Sequence, residues 1–151
     1  MRPILLFSAV AFAAGATAAS AQNPPPTPAP AVQAQRAGIK LSDVAGTWEG
    51  KSMVGPKDSV VVTYMITATA DPKGWAITFP GRAPIPMRIV ATGGDSIVTE
   101  SGPYASILRP GQTVTTRTTS HYTGDTATGT FEAHYASGDV IRGKVVATRK
   151  K

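Results

Sequence analysis

Three side chains in this sequence have the chemistry to act on a substrate: Ser96, within Gly93-Gly94-Asp95-Ser96-Ile97, and the two histidines, His121 and His134. A serine attacks as a nucleophile only when a base lies within hydrogen-bond reach and donors are placed to hold the oxyanion. Gly93 to Ile97 lies between two strand patterns, with no helix N-terminus to supply such donors, and reads as a turn. A metal would need both histidines near one point. With Gly124-Asp125 as a two-residue hairpin turn, Thr123 faces Thr126 and His121 faces Thr128. His121 then stands six strand positions from His134, roughly 20 Å at about 3.3 Å per residue. Both histidines point outward beside Glu132 and read as surface groups, and with no cysteine in the chain no thiolate can complete a site.

The nine carboxylates are scattered singly rather than paired for acid and base roles. No dinucleotide-binding glycine pattern, phosphate loop, zinc-protease helix or calcium loop occurs. The Gly-Asp-Ser block resembles the nucleophile block of the GDS-type esterases, in which the serine follows a strand and opens a helix. Here a strand follows instead, so the esterase role is not carried over to Ser96. A non-catalytic protein without cofactor or metal is the expectation.

The elements that would position any site begin with a leader. Met1-Arg2 is basic, an apolar run follows from Ile4, and Ala19-Ser20-Ala21 precedes Gln22, the three-part pattern of a secretory signal peptide. The apolar run is shorter than the roughly 20 residues that span a bilayer, so cleavage after Ala21 is expected, with a periplasmic or secreted product and no membrane span in the mature form. Residues 22–40, rich in proline, alanine and glutamine without apolar periodicity, read as an extended, solvated linker. The remaining residues, 41–151, suffice for one domain, which must be held by apolar burial alone because no disulfide can form. The formal charge of +6 becomes +5 without Arg2, and Arg149, Lys150 and Lys151 carry three of those charges at the C-terminus. No lysine and aromatic clustering tracks a phosphate backbone, so a nucleic-acid partner is not expected.

From Asp43 onward, turn signals recur between segments rich in Val, Ile, Thr, Tyr and Phe, an all-β pattern. Eight strands are predicted, near 44–53, 59–69, 75–80, 86–92, 96–101, 112–122, 127–136 and 139–149. Sequential hairpins of this number can close into a single antiparallel up-and-down β-barrel. Alternation turns Val60, Val62, Tyr64, Ile66 and Ala68 inward on the second strand, and Trp75, Ile77 and Phe79 on the third. Later strands add Met87, Ile89, Phe131, Ala133, Tyr135, Ile141, Val145 and Ala147 to that face. The inward set of the last strand continues by twos to Arg149. Closure would lay Arg149 beside Trp48, where a guanidinium can stack on the indole and donate to nearby carbonyls. Gly46 and Gly50 would let backbone pass close to the ring.

Gly46-Thr47-Trp48 opening the first strand, with a basic residue closing the last, resembles the calycin superfamily and the lipocalins in particular. The resemblance covers residues 41–149 and implies a barrel floor built on Trp48 and Arg149. Two departures, a shorter chain and no C-terminal helix, bear on the size of any cavity. "GDSIVTE" and "GPY" also resemble exported bacterial proteins without an assigned activity.

Thr113 to Tyr122 is rich in hydroxyls, and one face directs Thr116, Thr118 and Ser120 inward with Val114. Buried hydroxyls need partners. They either line a watered cavity for a small amphipathic or apolar ligand, or bond to main chain in a filled core. Tyr64, Trp75, Phe79, Met87, Phe131 and Tyr135 would line or plug the same space. The leading expectation is an exported binding protein that holds a small, partly apolar ligand. The alternative is a protein that acts through its N-terminal arm or outer surface: the "AGTW" start and proline-rich arm resemble the bacterial inhibitors of serralysin-type metalloproteases, though the cysteines of those inhibitors are missing. An envelope structural protein is the third reading.

Overall fold

A computed structural model describes residues 38–151. The expected signal peptide and nearly all of the expected linker lie outside the described residues.

Eight antiparallel strands follow one another and close into a barrel in the order β1 to β8. They are β1 (Gly46–Val54), β2 (Ser59–Ala68), β3 (Ala76–Thr78), β4 (Ile85–Gly93), β5 (Ser96–Ala105), β6 (Thr113–Thr123), β7 (Thr126–Tyr135) and β8 (Val140–Arg149). Short 3-10 turns, Leu41–Asp43 and Pro72–Gly74, precede β1 and β3. The second is set by Asp71, whose side chain accepts from the Lys73 amide at 2.9 Å. Each strand is long in β-branched or aromatic residues, and each hairpin holds a residue that suits a reversal. Gly94 and Gly124, both with φ of 58°, occupy the first position of two-residue loops, where the hairpin geometry requires a left-handed residue.

The β6–β7 register matches the sequence expectation, with Thr123 opposite Thr126 and His121 opposite Thr128. Closure occurs between β8 and β1, with Arg149 opposite Trp48 and Ala147 opposite Gly50. The buried core runs through the inward positions, from Trp48, Trp75 and Ile97 at 1% exposure to Phe131, Tyr135 and Val145.

Three local features depart from the pattern expected of the sequence. Val60 is not inward but 54% exposed. Ser52 pairs with Val62 and Met53 with Val60, so Val61 is an extra residue in β2, and this bulge reverses the alternation above it. The glycines of β1 make room for other groups than Trp48. A Cβ on Gly50 would lie 2.2 Å from the Tyr64 ring, and one on Gly46 would lie 3.3 Å from Arg149 Nη1. Finally, β5 runs past Ser101 to Ala105, with a register irregularity between Ser101 and Tyr104 that absorbs Gly102-Pro103.

The wall is not uniform. β3 pairs with β2 only through Met65–Thr78, Ile66–Ile77 and Thr67–Ala76, and with β4 only through Ala76–Pro86 and Ile77–Ile85. After Thr78 the chain leaves the sheet, yet Phe79 remains turned inward and 5% exposed.

Candidate functional site

The barrel has a plugged end and an open one. At the plugged end the Trp48 indole N–H donates to the Val44 carbonyl at 2.9 Å, and the Tyr122 ring packs against the indole nearly at right angles, 5.3 Å between centroids. Arg149 covers the same indole, with its guanidinium carbon 4.6 Å from the ring centroid. Its Nη2 donates to the Asp43 carbonyl at 2.8 Å and its Nη1 to that of Ala45. Arg149 Nε lies 3.0 Å from an Asp125 carboxylate oxygen, yet its N–H does not point along that line, and the ion pair therefore lacks a true hydrogen bond there. Ahead of β1, Ile39 donates its amide to Gly94 at 2.7 Å, and Ile39 and Leu41 pack on the core, so the chain crosses this end of the barrel. Trp75 belongs to this floor: its indole N–H donates to Thr69 at 2.8 Å, and it does not line the interior space.

Above the floor the barrel is hollow. The space leaves about 70 Å³ in which the centre of a water molecule can move, several times the roughly 10–15 Å³ that one water needs. Tyr64, Phe79, Met87, Thr116, Thr118, Phe131 and Tyr135 all line it, as does Ser120. Thr99, Ser101, Tyr104 and Tyr122 also line it, beyond the residues expected from the sequence. Alternation along "SIVTES" was the signal available for Ile97, Thr99 and Ser101.

No lining residue carries a charge. Desolvation pushes the phenol of Tyr122 up to about 12, and a smaller repulsion from Tyr64 adds to the rise. It also raises Tyr64 and Tyr104, with hydroxyls of Ser52 and Thr116 respectively acting in the opposite direction. An interior that resists a phenolate resists any unpaired anion for the same reason, because no water or countercharge replaces its hydration.

At the open end the β5–β6 loop overhangs the space with Ser106, Ile107 and Leu108, the last two 36% and 38% exposed. The overhang is held by polar ties. Arg82, on the β3–β4 loop, donates to the Ala105 carbonyl. Arg109 pairs with Asp139 on the β7–β8 loop and lies over the Tyr135 ring, 4.6 Å from its centroid. The Arg109 guanidinium holds the Asp139 carboxyl below its ordinary value, with a lesser contribution from Ser137.

The side chains with reactive chemistry lie outside this space. The β5–β6 register sets Ser96 opposite His121, and Ser96 Oγ lies 2.8 Å from His121 Nδ1, a contact not foreseen from the sequence. Asp95 Oδ1 approaches the same nitrogen at 3.2 Å and accepts from Ser96 Oγ at 3.0 Å. A relay needs the serine on one ring nitrogen and the carboxylate on the other. Here both crowd one nitrogen of a half-exposed ring, and the hydrogen bond from His121 lowers the Asp95 carboxyl below its ordinary value. His134 has a separate partner, Glu132, at 3.2 Å. Glu132 also accepts from Arg142 at 2.7 Å, the main cause of its lowered carboxyl. Among the described residues no group of three or more His, Asp or Glu side chains is placed to hold a metal ion.

No family model matches the chain, and no curated protein or solved structure matches it either.

Proposed function

We propose that this chain is an exported, non-catalytic binding protein that holds a small, partly apolar molecule inside its barrel, as the lipocalins it resembles in sequence do. The observation that carries the reading is the uncharged cavity beneath a partly apolar mouth, closed below by Trp48 and Arg149. A space of this kind, apolar with a few hydroxyls, is what small-molecule sites are made of. Burial of the ligand's apolar surface would supply the affinity, and the hydroxyls would set its orientation.

The outer face supports a barrel that stands in water. Arg88, Glu132, Arg142 and Lys144 point outward and pair with carboxylates or basic groups at the surface, the reverse of the apolar band on a lipid-facing barrel. No helix among the described residues is long and apolar enough to cross a membrane. Export rests on the sequence of residues 1–21, and intact-mass analysis of secreted or periplasmic material should give a chain beginning at Gln22.

Titration of the purified protein with an environment-sensitive apolar dye tests the binding reading. Micromolar affinity, about 8 kcal/mol, with one dye per chain is the expected result. A chain that takes up no dye across that range would return the function to the outer surface or the N-terminal arm.

A further inference from the structure

The cavity is two-sided, and this constrains what it can hold. In an eight-stranded barrel β6 lies across from β2. The β5–β6 wall presents Thr99, Ser101, Thr116, Thr118 and Ser120, while the wall opposite presents Val62, Ile66 and Ile77, with Ser52 and Tyr64 as its hydroxyl-bearing members. The hydroxyls sit in facing rows, with Thr99 opposite Thr118 and Ser101 opposite Thr116. Thr99 and Ser101 are each only 5% exposed. Of the five, only Thr116 meets another side chain, its Oγ1 lying 2.8 Å from the Tyr104 hydroxyl. The other four have no hydrogen-bond partner among the described residues, and none is sealed away from the open space. Buried hydroxyls without protein partners are answered by water or by a ligand.

We infer that the ligand is an uncharged molecule with a lopsided surface: one flank apolar, the other bearing hydroxyl or carbonyl groups that meet the β5–β6 wall. This rests on the binding reading above and narrows it. A simple hydrocarbon would leave Thr99, Ser101, Thr118 and Ser120 without partners once their water is displaced. A carboxylate or phosphate within the barrel would find hydroxyls but no cation, since Arg82 and Arg109 are outside the lining and tied to Ala105, Asp139 and Tyr135. The raised phenols of Tyr64, Tyr104 and Tyr122 report the same aversion to negative charge.

Three probes of one shape separate the possibilities: naphthalene, 2-naphthol and 2-naphthoate, each titrated by calorimetry into the full-length protein at neutral pH. The alcohol should bind about tenfold more tightly than the hydrocarbon, as one well-placed hydrogen bond provides, and at least about tenfold more tightly than the carboxylate. Replacing Thr99 and Thr118 together by valine removes two hydroxyls with little change of shape, and should bring 2-naphthol to the level of naphthalene without weakening naphthalene itself. Ser101→Ala serves the same comparison should the double variant fail to fold. Naphthalene binding as tightly as 2-naphthol, or naphthoate binding best, would overturn the two-sided ligand and leave the binding reading standing. A protein that takes up none of the three would overturn both.

Discussion

The guanidinium carbon of Arg149 sits 4.6 Å from the centre of the Trp48 ring, and the two residues are direct cross-strand partners where the last strand meets the first. The arginine also donates to carbonyls of Asp43 and Ala45, so a single side chain ties barrel closure to the segment that crosses its floor. Trp48→Ala should cost about 3–5 kcal/mol, as truncation of a large core aromatic does. Arg149→Ala should cost less, and the double variant should show a coupling of about 0.5 kcal/mol or more in urea melts. Strict additivity would mean that stacking contributes nothing to closure.

Gly50 faces Tyr64 across β1 and β2, and the tyrosine ring occupies the space where a Cβ would be. Gly50→Ala should therefore push the ring toward the cavity and destabilise the barrel by about 1–3 kcal/mol, the usual range for an overpacked interior. Dye affinity should fall with it, because Tyr64 lines the same space. An alanine variant with unchanged melting and unchanged dye binding would show that the ring is not confined.

Thr118 lies on β6 with its side chain at the cavity wall, opposite Phe131 on β7 and Thr99 on β5. Phenylalanine at this position should fill the hollow, abolishing dye binding at a stability change within about 1 kcal/mol. A larger loss of stability, without dye binding in either protein, would mean that the interior packs tightly in solution.

The Tyr122 phenol, raised from 10.0 to about 12, makes the barrel sensitive to alkali. Between those values an unfolded tyrosine releases a proton that the folded one keeps. The group's contribution is thus fully present below pH 10 and is lost as the pH rises toward about 12. Phenolate absorbance should show at least one tyrosine ionising late. In Tyr122→Phe, stability should fall less steeply over the same interval.

Much of this architecture can be read along the chain. The spacing of Gly94-Asp95 and Gly124-Asp125 between alternating segments specifies hairpins, and hairpins specify which strands are neighbours. Arg149 at an inward position beside Trp48 followed from counting by twos through β8, because strand alternation is a local property. Val60 shows where counting stops working. The extra residue at Val61 becomes visible only when β2 is laid against β1, since a bulge is a mismatch between two strands and not a property of one.

The site divides in the same way. The inward threonines of β6 are legible from period two, but whether they meet main chain or empty space depends on how far apart the opposite walls stand. That distance is set by the closure of all eight strands at once, and the outcome is a cavity of about 70 Å³. Ser96 and His121 are 25 residues apart in sequence and become neighbours through the β5–β6 register alone. Sequence by itself determined the strand order and most of the inward face, because these follow from local sterics and the alternation of side chains. Only the tertiary structure decided the hollow interior, the bulge and the contact between Ser96 and His121, because each depends on the spacing of groups that the chain brings together from afar.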